Sequence, residues 1–149
     1  MRVTPHSIDP MSAIAPATVR AYLETDYLVD APEPFVLRVG VASAPLASLY
    51  RQHCADCCAF ISACNPYSRL IGNEENAERQ AELAQELVQR GLTFFDGIGR
   101  HPAGGWPAET SFLVLGLSFD DSKKLGEKYQ QNAIIWCGPD AVPELVLLR

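Results

Sequence analysis

Long apolar runs are missing from this chain. The most hydrophobic stretch, residues 112–119 (FLVLGLSF), falls far short of the ~20 residues that a membrane-spanning helix needs, so no membrane is expected as a partner. Basic clusters are missing as well. Lys and Arg number 12 against 18 Asp and Glu, for a net charge of −6. Nothing gathers the positive charge that a phosphate backbone requires, which excludes nucleic acid as an expected partner. The first residues lack the basic start and apolar core of a secretory signal. Internal repeats and low-complexity tracts are absent.

Recognisable chemistry is equally scarce. There is no Gly-x-Ser-x-Gly, no His-Glu-x-x-His and no pair of carboxylates at acid/base spacing, so whether the protein is an enzyme stays open. Cysteine is present but unpromising. The 5 cysteines are an odd number, and Cys54, Cys57 and Cys58 crowd together. That is a poor disulfide framework and fits a reducing, cytoplasmic setting. Cys54/Cys57 form a Cys-x-x-Cys, yet zinc would need further ligands at such spacing and none exist. A redox pair would precede a helix, whereas here a strand follows. Cysteines entering a buried strand act mostly as small hydrophobes, and neither a metal nor a cofactor is expected.

What the chain does have is one well-marked strand–turn–helix stretch, residues 59–91. The apolar AFISAC is stopped by Asn65-Pro66, and NEENAERQAELAQELVQRG follows. Asn73 is placed to cap a helix, Glu74, Glu75 and Glu78 suit the positive end of its dipole, and Gly91 is placed to end it. Ala77, Ala81, Ala84, Leu87 and Val88 recur at helical spacing as one apolar stripe. That facing sends Arg79 outward, toward Glu75 at i−4.

Residues 1–14 carry two prolines and no periodicity, and read as a disordered leader in which Met11 is a second candidate start. Residues 15–149 read as one domain. Helices are expected from Pro16 to about Tyr27, from Pro45 to His53 behind a Ser43 cap, and from Asp121 to about Gln130 behind Asp120. Strands are expected at Phe35–Val41, Cys58–Cys64, Leu92–Gly97, Thr110–Phe119, Ala133–Cys137 and Glu144–Leu148. The order defines an α+β fold, an α/β sandwich: a mixed β-sheet with a split β-α-β-β-α-β core preceded by α-β-α. Residues 111–117 (SFLVLGL) lack alternation, as befits a strand covered on both faces. Two helices are therefore assigned to each side.

That topology has a consequence for function. The strands ending near Asn65 and Gly97 run parallel, and those beginning near Thr110 and Ala133 start at the edge where the first two end. Asn65, Ser68, Arg100, His101, Trp106, Glu109, Gln131 and Asn132 then share one edge, and the central helix brings Asn76 there. Gln80 falls within the apolar stripe and needs a partner if buried. Polar residues at strand ends are also ordinary turn chemistry. Trp106 beside Glu109 in a glycine-rich loop tilts the balance toward a ligand edge. Gly97-Ile98-Gly99 with Gly104-Gly105 does not lead into a helix, so it lacks the free amides of a phosphate loop.

The stretches AFISACNPYSR, ENAERQAEL, WPAETSFLVLGL and GEKYQQNAIIW, spanning about Ala59 to Val146, resemble the bacterial family known as domain of unknown function 3293. The resemblance implies no activity. It does imply a set of marked residues: Asn65, Pro66, Ser68, Asn76, Arg79, Gln80, Trp106, Glu109, Gln131 and Asn132, which largely coincides with the edge reached from topology. Three functions are carried forward. A polar or nucleotide-like small molecule binds at the edge; or the Trp106 loop docks a protein partner without catalysis; or the polar set only fixes the fold.

Overall fold

The computed structural model describes residues 2–3, 12–104 and 107–149. Its elements are β1 (Arg2–Val3), α1 (Pro16–Glu24), β2 (Asp26–Val29), β3 (Phe35–Leu37), α2 (Ala44–His53), β4 (Cys58–Ile61), α3 (Asn73–Gln89), β5 (Phe94–Arg100), β6 (Glu109–Leu115), α4 (Phe119–Lys128), β7 (Ala133–Cys137) and β8 (Pro143–Leu147). One sheet holds these strands in the order β1-β8-β7-β4-β6-β5-β2-β3. The fold is α+β, and its centre is the expected split β-α-β-β-α-β unit, β4 through β7. Among the described residues, no helix is long and apolar enough to cross a membrane.

The sheet departs from the mixed one expected, because every ladder among the described residues is antiparallel. The crossovers do set β4 and β5 in one direction, and β6 and β7 in the other. In each case a third strand lies between the two, so no parallel pair touches. The lead is α-β-β-α rather than α-β-α. Helix α1 stops at Glu24, where the Thr25 hydroxyl donates back to Ala21 O at 2.6 Å, and β2 then pairs with both β3 and β5. Of the expected leader, Arg2–Val3 add a strand to β8 and Ile14 is buried; residues 1 and 4–11 lie outside the described residues.

Two cores follow from strand alternation. Phe60, Leu113, Leu115, Ile135 and Leu145 point to one face and pack with Val19 of α1 and Leu46, Leu49 and Tyr50 of α2. Ala59, Ile61, Phe112, Val114 and Ile134 point to the other, against Leu83 and Leu87 of α3 and Leu125 of α4. The two-and-two covering is as expected. Ser43 caps α2 through its hydroxyl, 3.2 Å from Leu46 N. In α4 the cap is Ser118 instead of Asp120, accepting from Asp121 N at 3.1 Å.

Helix α3 is rotated from the expected facing. Leu83 and Leu87 are 0% exposed, Gln80 is buried, and Val88 is 66% exposed. Two stripes competed, 76-80-83-87 and 77-81-84-88. The second is the more apolar, but the polar residues of the first find buried carbonyl and amide partners at the exit of β4, and Leu83 fills the core. The cap residue is Gly72 rather than Asn73, and Gly91 ends the helix at φ +71°.

Candidate functional site: an acceptor-rich cavity at the sheet edge

The end of β4, the end of β5 and the starts of β6 and β7 meet at one edge, as the topology demanded. Helix α1 ends there too, and the start of β2 and Arg149 lie at the same edge. A cavity of about 430 Å3 opens at this edge, on the sheet face that α1 and α2 cover.

Its floor is an extension of the core rows by period 2. Leu115 and Leu113 lie under the helices; Ser111 and Glu109 continue the same row of β6, and Ser62 continues the row of Cys58 and Phe60 on β4. The apolar sheet face thus turns polar where the helices no longer cover it. Gly99 pairs with Glu109 across one ladder and with Tyr27 across the next. A glycine in the middle of that row leaves a hollow between the Tyr27 ring and the Glu109 carboxylate. Tyr27 and Phe60 stack edge to face, 5.2 Å between centroids. Ala21 and Tyr22 come from α1, and Ile135 and Leu145 complete the apolar wall.

Glu109 is the charged group of this lining that bears on the interior. Burial pushes its carboxyl above the ordinary glutamate range, and hydrogen bonding from Asn65 and Ser62 pulls it partway back. His101 also lines the cavity, but its Nδ1 accepts from Ala103 N at 3.2 Å and its Nε2 therefore donates to Glu24, 3.1 Å away. Burial raises the Tyr27 hydroxyl as well; it donates to Tyr22 O at 2.6 Å.

The residues marked from the sequence divide into two groups. Asn65, Ser68, Glu109, Gln131 and Asn132 line the cavity. Asn76, Arg79 and Gln80 lie behind it and hold the β4 exit. Asn65 sits at φ +47°, followed by Tyr67 and Ser68, also left-handed, a conformation costing about 1–2 kcal/mol per non-glycine residue. Hydrogen bonds hold this turn: Asn65 N donates to Asn76 Oδ1 at 2.8 Å, Ile71 N and Asn76 Nδ2 donate to Asn65 Oδ1 at 3.2 and 2.9 Å, and Tyr67 N donates to Gln130 O at 2.6 Å. Gln80 Oε1 accepts from Ala63 N at 3.0 Å.

Arg79 does not point outward as expected. Its Nε donates to Ala63 O at 2.6 Å and its Nη2 to Tyr129 O, tying β4 to α4. Of the other expected residues, Arg100 is exposed at the end of β5, and Trp106 lies outside the described residues. The floor residues Ser62, Ser111, Tyr27 and Gly99 carried no mark in the sequence reading. Their signal was the spacing Phe60-x-Ser62 and Leu113-x-Ser111-x-Glu109, polar groups continuing a buried row.

Elsewhere, all five cysteines are free thiols. Cys58 and Cys137 face each other across the β4–β7 ladder, under the Tyr50 hydroxyl, which donates to Cys137 O at 3.2 Å.

Fold and site together define a small α+β domain with a polar cavity at the open edge of its sheet. Residues 61–134 match the model of the family described as protein of unknown function (DUF3293), and the chain resembles that family from the end of β4 to the start of β7. No curated protein and no solved structure matches the chain.

Proposed function

We propose that the edge cavity binds a polar small molecule, with Glu109 as its charged anchor. The observation that carries this reading is a largely buried carboxyl at the head of a partly open hollow, with no Lys or Arg among the described residues of its lining. An unpaired buried charge is costly, and it is retained where a ligand supplies the missing partner. The volume lies in the range of small-molecule sites, about 300–1,000 Å3. A nucleotide is less well supported than a nucleoside or an amine, since nothing in the lining would meet a phosphate.

Binding is supported over chemistry. The Ser111 hydroxyl donates to Glu109 O at 3.2 Å, so it is not held by a base as a nucleophile would be, and Ser62, within reach of the Glu109 carboxyl, also donates to Thr110 O at 2.7 Å. For Asn76, Arg79, Gln80 and Gln131 the structural reading is favoured, because Asn76 Oδ1, Arg79, Gln80 Oε1 and Gln131 Nε2 bond backbone groups of the β4 and α4 exits; Gln80 Nε2 is buried without a partner. Protein docking through the Trp106 loop draws no support from the described residues. Five unpaired thiols support a reducing, cytoplasmic setting.

The test is a small-molecule library screened by thermal shift on the wild-type chain and on Gly99→Leu. A Cβ at Gly99 meets only ordinary contacts, 3.7 Å to Thr25 and 3.8 Å to Tyr27, so the larger side chain fills the hollow. Hits that stabilise the wild type and are lost in the variant support the site. Hits indifferent to the plug, or none at all, would sink it.

A further inference from the structure

Donors and acceptors around the cavity do not balance, and the imbalance specifies the ligand. The Ser111 and Tyr27 hydroxyl protons are committed to Glu109 O and Tyr22 O, and the single Ser62 proton goes to Thr110 O or to the Glu109 carboxyl, both within its reach. The amide groups are committed as well. Asn65 Nδ2 donates to Glu109 Oε2 at 3.2 Å. Gln131 Nε2 donates to Cys64 O and Tyr129 O at 3.0 and 3.1 Å, and Asn132 Nδ2 to Ser68 Oγ and the Tyr22 hydroxyl at 2.9 and 3.2 Å. Two donor protons stay free, one of the Tyr22–Ser68 hydroxyl pair, which shares a single 2.6 Å bond, and the second on Asn65 Nδ2; the rest of the unused capacity is lone pairs, on the Glu109 carboxyl and the hydroxyl oxygens beside it.

Positive charge is directed elsewhere. His101 Nε2 is turned to Glu24. Arg149 stands outside the lining, 4.2 Å over the Tyr67 ring and 3.2 Å from Asn132 Oδ1. Arg79 is bonded behind the β4 exit. An anionic ligand would meet Glu109 directly, with Arg149 only at the rim, already bonded to Asn132. An ammonium brings donors and no acceptor, matches the charge, and can lie against the Tyr27 and Phe60 rings. Resting on the binding function above, we propose that the cavity takes a protonated amine carried on a short apolar or aromatic body, with the nitrogen at Glu109 and the body along Tyr27, Phe60 and Ile135.

The test uses three probes of one shape: 2-phenylethylamine, 2-phenylethanol and phenylacetate. Each is titrated into the full chain near neutral pH, followed by amide and carboxyl NMR shifts. The amine is expected to bind at least roughly tenfold more tightly than the alcohol, and phenylacetate weakest of the three. Adding amine should also move the midpoint of the Glu109 carboxyl titration to lower pH, as a neighbouring cation does. Glu109→Gln should erase the amine's advantage while keeping the alcohol's affinity, and Gly99→Leu should abolish both. Amine and alcohol binding alike, phenylacetate binding best, or no probe binding at all overturns the amine assignment. The cavity reading falls separately, when no library hit depends on Gly99.

Discussion

Asn65 Nδ2 lies 3.2 Å from Glu109 Oε2, joining the exit of β4 to the entry of β6. The same Asn65 side chain accepts from Ile71 N and Asn76 Nδ2, so one amide shapes the turn, anchors α3 and orients the carboxylate. Asn65→Ala removes all of these bonds, each worth about 0.5–1.5 kcal/mol, and places a Cβ residue without a polar tip in a left-handed position. A loss of roughly 2–4 kcal/mol in urea unfolding is expected on that basis. Asn65→Gly should lose less, because glycine accepts the backbone angle. Equal losses would show that backbone strain is not part of the cost.

Glu109 gives stability a definite pH slope. Its folded pKa is raised, so the native state binds the proton more strongly than the unfolded chain does. Stability from this group is fully present below the ordinary glutamate pKa and is lost as pH rises through the folded value. Glu109→Gln should therefore melt higher than wild type near neutral pH, with the gap closing at acid pH. A gap independent of pH would mean that the carboxyl is not titrating as placed here.

Glu86 has the opposite slope. Hydrogen bonds from Lys128 at 2.6 Å and Arg90 at 2.9 Å, with the Tyr129 hydroxyl, hold its carboxyl below the ordinary range. Its contribution is present above the ordinary glutamate pKa and lost as pH falls through the lowered one. In Glu86→Gln the acid limb of the melting profile should flatten, which a pH series of thermal melts reads directly.

The facing of α3 is tested by paired truncations. Leu83→Ala and Leu87→Ala should each cost about 2–5 kcal/mol, as buried leucines do. Val88→Ala, on an exposed side chain, should stay within roughly 0.5 kcal/mol. Leu87 belongs to both facings, so the comparison of Leu83 with Val88 decides: a larger loss for Val88→Ala than for Leu83→Ala would restore the apolar stripe that the sequence suggests.

Arg79 links Ala63 O of the β4 exit to Tyr129 O of the α4 exit. Arg79→Met leaves both carbonyls without that donor and should cost about 1–3 kcal/mol. Arg79→Lys should recover only part, because an ammonium lacks the planar fork that reaches two acceptors. Full recovery by lysine in chemical denaturation would reduce the role of Arg79 to charge alone.

Much of the architecture was legible in the residues. The split core, the two helices on each face, the Ser43 cap and the Gly91 stop follow from period and punctuation, which are local properties. So does the arrival of Asn65, Glu109, Gln131 and Asn132 at one edge, since strand direction follows from element order alone. The short strand Asp26–Val29 was not legible. It exists because β3 and β5 flank it, and four residues carry too little period to announce that.

By itself, then, the sequence determined most of the elements, the Ser43 cap and the Gly91 stop, and which chain ends share a rim. Tertiary structure alone decided which stripe of α3 faces inward, because burying Asn76, Arg79 and Gln80 is favourable only where the β4 and α4 exits offer matching amides and carbonyls. It also decided that the strand rows change from leucine to serine and glutamate beneath the end of α1, with Gly99 leaving the hollow between them. A hollow is a property of what several segments leave unfilled, and no single stretch of chain encodes it.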